Sequence, residues 1–437
     1  MRKKSYPALL EQKVYQYRRK RPFRMAKRYG MQMPYCNLSS LRFFVPYSIN
    51  HFSKKMGTCH IISNKIRIPR NFSFHKNFDE TINVFKQFIS FFTMKEGYVI
   101  ADFSDCEFIG ISEITLLQVL YEEFLVAQRR YKRINNLYEL RNLRIIPSFR
   151  DQKVKKFLHA FGFYEYKDLD GEVLPFDLIR GKYRRSYVEN NKANAIEKIV
   201  GFINKSFEPV HKQLSLDGLN VFQSLISEIL NNAEDHSYRN CEWSVNAISF
   251  NEQQFGENVV EVNLSIINFG NSMYEGFEET RDLNNILYEK VQNKYDKHCL
   301  LFDSQNSFER EALFMLYMLN EGISRLKYED ASRGNGTMQF LQAFTTLGSF
   351  GKKNSNFKSI LNVISGHTVL SCDNSVGPYT DGTHLKLSLN EEKDLSLLPD
   401  KRYLKTYAGF FPGTIIECKI YLNEHFFDEI LNNGKQQ

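Results

Sequence analysis

Ser215-Leu216-Asp217-Gly218-Leu219-Asn220-Val221-Phe222-Gln223-Ser224-Leu225-Ile226-Ser227-Glu228-Ile229-Leu230-Asn231-Asn232-Ala233-Glu234-Asp235-His236 is the stretch whose reading decides the fold. Apolar residues recur at 219, 222, 226, 229 and 233, which is the buried stripe of a helix. Each residue turns a helix by about 100°, so Glu228, Asn232, Asp235 and His236 gather on another face. That set suits metal-nucleotide chemistry. An amide oxygen is a hard ligand for Mg²⁺, and a carboxylate one turn earlier can reach a water aimed at a phosphate. A plain hydrogen-bonded surface pair is the alternative for Glu228 and Asn232.

Three further elements follow in order. After strand-like residues 243–250, a second apolar run over 259–267 ends in Asn268-Phe269-Gly270-Asn271-Ser272-Met273. Later, Ser332-Arg333-Gly334-Asn335-Gly336-Thr337 stands directly before a helical stretch at 338–347. Glycines two apart at a helix start leave backbone N–H groups and the helix dipole available to phosphate oxygens. Pro412-Gly413-Thr414 introduces a final strand at 415–421, and further strands at 359–364 and 384–388 complete a sheet with it. The intervening 274–331 reads as charged and helical.

Together these elements, over about half the chain, resemble the nucleotide-binding boxes of GHKL proteins, the fold of gyrase, heat-shock chaperone and histidine kinase ATPases. The helix matches E-x-x-x-N-A-x-[DE]-H, and the Glu and Ala fix its register on Asn232 rather than Asn231. The family's D-x-G-x-G stands here as Asn268, Gly270 and Ser272, so an amide replaces the carboxylate that accepts from the adenine amino group. R-G-x-G-[LT] stands as Arg333-Gly334-Asn335-Gly336-Thr337, and the last turn as Gly413-Thr414. The resemblance implies an α/β sandwich over 190–425, a mixed sheet covered by helices, with a lid at 274–331. It implies ATP and Mg²⁺ as ligands, Glu228 as catalytic base and Asn232 as magnesium ligand. Asp235, His236, Asn268, Gly270, Arg333, Gly334, Asn335, Gly336, Thr337 and Thr414 would line the nucleotide.

Residues 64–189 alternate strand and helix patterns, which implies a mainly parallel sheet in a smaller α/β unit. Its stretch Asp102-Phe103-Ser104-Asp105-Cys106-Glu107-Phe108-Ile109 resembles the strand of STAS domains, the fold of anti-sigma-factor antagonists. In that family a D-S-S-G turn follows and accepts a phosphate; here the turn is Gly110-Ile111-Ser112-Glu113, and only Ser112 matches. Ser112 is read first as the N-cap of the next helix and second as a phospho-acceptor.

The chain of 437 residues carries a formal charge of +8. Residues 1–28 hold eleven Lys or Arg against Glu11 alone, so the rest is nearly neutral. This belongs to a basic arm over 1–63, in which Leu9, Leu10, Val14 and Tyr17 are spaced for one short helix. The arm reads first as a solvated tail and second as a contact for nucleic acid or an acidic partner. Residues 426–437 form a tail. Seven scattered cysteines fit reduced thiols, and no apolar run suits a membrane span or signal peptide, so a cytoplasmic protein is expected.

Function stays open among three readings. The first is an ATP-dependent switch with slow hydrolysis that controls a partner protein, for which a homodimer is compatible. The second is a serine kinase of the anti-sigma-factor type acting on a STAS-type substrate. The third is a degenerate nucleotide-binding scaffold, against which Glu228, Asn232, Gly334 and Gly336 weigh. A histidine kinase is set aside, because His211 precedes the helix without the helical context of a phospho-acceptor.

Overall fold

Short strands and amphipathic helices alternate through the first part of the chain. They are β1 (Lys65–Arg67), β2 (Asn71–Phe72), α1 (Phe78–Phe92), β3 (Val99–Asp102), β4 (Phe108–Ile109), α2 (Ile111–Asn135), β5 (Leu143–Ile145) and α3 (Gln152–Ala160). Every pairing among these strands is parallel: β1-β3-β5 make one sheet and β2-β4 a second pair. Local chemistry sets the helix ends. Asp151 caps α3 by accepting from the backbone N–H groups of Lys153 at 2.7 Å and Val154 at 3.0 Å. Gly162, at φ 73°, ends it in the left-handed turn expected of glycine there.

The computed structural model describes residues 55–56, 63–92, 99–135, 143–163, 172–181, 191–237, 243–254, 257–279, 281–282, 285–301, 308–320, 336–347, 359–373, 375–382 and 384–423. The basic arm up to residue 54, its expected helix and the tail 426–437 lie outside them. Among the described residues no helix is long and apolar enough to cross a membrane.

The second part contains β6 (Val173–Gly181), α4 (Asn191–Ser206), α5 (Leu216–His236), β7 (Trp243–Gln254), β8 (Glu257–Phe269), α6 (Met273–Glu279), α7 (Asn285–Leu301), α8 (Arg310–Asn320) and α9 (Gly336–Leu347). β9 (Ile360–Cys372), β10 (Tyr379–Asp381), β11 (His384–Lys386) and β12 (Leu404–Asn423) complete it. The chain is therefore α/β. Five strands join in the order β6-β7-β8-β12-β9, and every neighbouring pair is antiparallel. The mixed sheet that the resemblance implies is thus corrected in this respect: parallel pairing is confined to the small sheets. β11 is a second correction, since among the described residues it pairs with β10 in a hairpin and not with the large sheet. β6, from the stretch read as the N-terminal unit, is an edge strand of that sheet.

Side chains alternate across a strand, and both faces of this sheet are covered. Val260, Val262, Leu264 and Ile266 of β8 join Ile226 and Ile229 of α5, Phe314 of α8 and Phe340 of α9 in one apolar cluster. Ile267 and Phe269 on the other face join Phe74, Phe85, Ile114 and Leu117 of the N-terminal layer in another. Between those apolar residues the second face also carries buried Glu261, Asn263 and Ser265. His211, set aside above, has φ 54° after a single 3-10 turn and does not lie on a helix.

Candidate functional site

Helix α5 begins with Ser215, whose hydroxyl accepts from the Gly218 N–H at 3.1 Å. Phe222, Ile226, Ile229 and Ala233 are buried as the periodicity requires, while Glu228 and Asn232 are half-buried. The rotation of the helix is fixed from its far side. The Lys192 ammonium donates to Asn231 Oδ1 at 2.7 Å and to Glu234 Oε2 at 2.8 Å, and the Trp243 indole N–H donates to Glu234 Oε1 at 3.1 Å. Asn231 is thereby held on α4, which leaves Asn232 as the amide turned the other way.

Asn232 reaches the start of α9. Its Nδ2 donates to the Thr337 hydroxyl at 3.3 Å, so two sequence motifs 105 residues apart are in side-chain contact. Gly336 is the first residue of that helix. Arg333, Gly334 and Asn335 lie outside the described residues, and of Asp235 and His236 only the backbone is described.

Asn268, at the end of β8, ties the remaining motifs together. It lies opposite Trp243 of β7 and Thr414 of β12 in the sheet register. Its Nδ2 donates to the carbonyl of Ala233 in α5 at 3.4 Å, and its Oδ1 accepts from the Thr414 N–H at 2.9 Å. Asn268 is buried, and the amide works as a pin between helix and last strand. An aspartate could accept from Thr414 but could not donate to Ala233, so the two bonds together favour Asn at this position. The pin also occupies one lone pair of the oxygen that would read a base.

The turn beside it is built for close approach. Gly413 has φ 137°, and a β-carbon there would overlap the Asn268 carbonyl oxygen. Ser365 donates to the Gly413 carbonyl at 2.8 Å, lies 3.1 Å from the Thr414 hydroxyl and accepts from the Met273 N–H at 2.9 Å. Gly270 donates to the Pro412 carbonyl at 3.3 Å and bridges to Ser237 after α5. Ser272 is the N-cap of α6. Its hydroxyl accepts from the Glu275 N–H at 3.1 Å, and the Glu275 carboxylate accepts from the Ser272 N–H at 2.9 Å. That reciprocal capping box gives Ser272 a role in the chain's own architecture.

Within 274–331, α8 buries every residue from Ala312 to Leu319 in the core, and residues 321–331 lie outside the described set. One sequence reading changes. Ser112 is neither an N-cap nor an accessible phospho-acceptor. It is the second residue of α2 and fully buried, and its hydroxyl lies 3.0 Å from the Ser265 hydroxyl and donates to Glu417 at 3.2 Å. A phosphate there would have to displace the packed sheet and face a carboxyl group.

Sequence reasoning missed Lys192, Glu234, Trp243 and Ser365, which orient the site without entering it. Only Trp243, the one tryptophan in the chain, carried a visible signal. Among the described residues no three His, Cys, Asp or Glu gather as a metal-binding group. The Asn232 amide and the Thr337 hydroxyl beside it are the polar groups that face each other between α5 and α9. The helix start at Gly336 adds backbone N–H groups suited to an anion. No family model matches the chain, and neither a curated protein nor a solved structure does.

Proposed function

We propose that this chain binds Mg-ATP where α5, the end of β8 and the start of α9 meet, and acts as an ATP-dependent switch that hydrolyses slowly and controls a partner protein. One observation carries the reading: Asn232 contacts Thr337 while Asn268 bonds both Ala233 and Thr414, so four motifs far apart in sequence converge. The donor set fits the ligand. Asn232 would supply the oxygen for magnesium, and Thr337 with the N–H groups at the start of α9 would hold phosphate oxygens. Bound magnesium supplies neutralisation of phosphate charge.

Glu228, one turn before Asn232, would accept the proton of the attacking water. Asn268 would meet the adenine amino group through the remaining lone pair of its carbonyl oxygen. Because an amide accepts without charge, preference for ATP over GTP is modest in this reading. The burial of Ser112 takes phosphotransfer to that residue out of the alternatives.

Incubation with γ-labelled ATP tests the proposal. Release of labelled phosphate by the wild type, with loss of at least about 100-fold in Glu228→Ala at unchanged affinity, is the expected result. Labelled protein in place of free phosphate would mean a kinase. Neither product, with no binding, would mean a scaffold and would overturn the reading.

A further inference from the structure

A pair of buried carboxyl groups lies where the N-terminal layer meets the large sheet. Glu113, in the first turn of α2, and Glu417, in the middle of β12, are both buried. One Glu113 oxygen accepts from the Phe74 N–H at 2.5 Å, while Oε2 has no hydrogen-bond partner. A β-carbon built on Gly110 would overlap that Oε2 and come within 3.3 Å of Glu417 Oε1, so the two carboxyl groups lie beside the same glycine. Ser112 completes the group by donating to Glu417 Oε2 at 3.2 Å.

Two carboxylates cannot both remain charged at such close quarters out of water. We infer that Glu113 and Glu417 each hold a proton below neutral pH and form a pH-sensitive joint between the N-terminal layer and the sheet. The other charges facing it do not replace those protons. Lys76, from the loop before α1, stands 3.4 Å above the Phe108 ring, and Lys419 of β12 pairs with Glu261 of β8 at 3.2 Å. Lys153 of α3 holds the same Glu261 at 2.8 Å, so the lysines are already balanced in part by that carboxylate. Cys106 nearby is a neutral thiol, pushed up to about 12 by burial.

The direction of titration agrees with this geometry. Burial raises Glu417 from the ordinary carboxylate range to about 7, and burial beside Glu417 raises Glu113 well above it. A carboxyl group whose folded value is raised holds a proton that the unfolded chain releases. Its stabilisation is complete below about 4.5 and is lost as pH rises toward 7. Two nearby groups run the other way or outside this window. His75, lowered to about 4 by burial and by Lys405 and Lys76, makes stability fall as pH drops below the ordinary histidine value. Glu261, for which burial works upward but Lys419, Lys153 and hydrogen bonds prevail, sits at about 2 and matters only in strong acid.

Comparison of full-length wild type with Glu113→Gln and Glu417→Gln cancels those shared contributions. Between about pH 5 and 7 the unfolding equilibrium constant of the wild type, relative to either variant, should rise about tenfold per pH unit, the signature of one proton. Parallel pH profiles would overturn the inference. The wild type offers a second measurement if the variants do not fold. Infrared spectra should contain a protonated glutamic acid carbonyl band near pH 6 that weakens as pH rises through about 7, and absence of that band at the lower pH would equally overturn it.

Discussion

The two faces of the five-stranded sheet are both buried, yet they are built differently. Toward α5, α8 and α9 the strands present Val260, Val262, Leu264, Ile266, Ile416, Cys418 and Ile420, with no charge among them. Toward the N-terminal layer the same strands present Ile267, Phe269 and Ile415 mixed with Glu261, Asn263, Ser265 and Glu417. An apolar face gains stability from area alone and tolerates sliding of its cover. A polar-laced face demands a specific partner for each buried group, so it fixes one register between the layers at some expense in stability. Asn268, which bonds α5 and β12 at the end of the sheet, belongs to the same strand as Ser265.

The comparison predicts a large, pH-independent effect on the apolar face. Phe314→Ala, which empties a fully buried ring packed against Tyr274, Phe277, Tyr288 and Tyr295, should cost about 3–5 kcal/mol in denaturant unfolding. The loss should be the same at pH 5 and pH 8. A pH-dependent loss would mean that the two faces are not separable in the way described. Next in size is Gly413→Ala, expected at roughly 2–4 kcal/mol because the added carbon meets the Asn268 carbonyl and the backbone is strained. A loss below about 1 kcal/mol would show that the turn can open.

The smallest effect concerns Asn268→Asp. The sequence alone suggests only that the charged acceptor sharpens preference for ATP over GTP. In the structure an oxygen would also replace the donor facing the Ala233 carbonyl, so a stability loss of about 1–2 kcal/mol should accompany that change. A competition titration with both nucleotides, together with unfolding curves, separates the two consequences. Sharpened preference without lost stability would mean that Asn268 does not pin α5.

Much of this was legible in the residues. The stripe through Phe222, Ile226 and Ile229 announced α5, and strand–helix alternation announced the parallel sheet of the N-terminal layer. The pattern was local, and local periodicity is what sequence carries best. Long-range pairing was not legible. Nothing in the alternation of β6 said that it would join β7, and nothing in the 384–386 run said that it would pair with β10. Ser112 misled for a related reason. A serine at a helix start reads as a cap, and only the sheet packed above it reveals that its hydroxyl bonds Ser265 and Glu417 instead. Ser272, which looked like a lost glycine, became intelligible once Glu275 was seen to return its hydrogen bond.

Titration calorimetry of Mg-ATP against wild type and Asn232→Ala tests the central claim most directly, with Trp243 fluorescence as an independent readout beside α5. Removal of the oxygen donor is predicted to weaken binding at least tenfold, with the wild-type affinity itself falling when magnesium is withdrawn. Equal affinity in the two proteins, or binding indifferent to magnesium, would contradict the assignment of this helix to the nucleotide site.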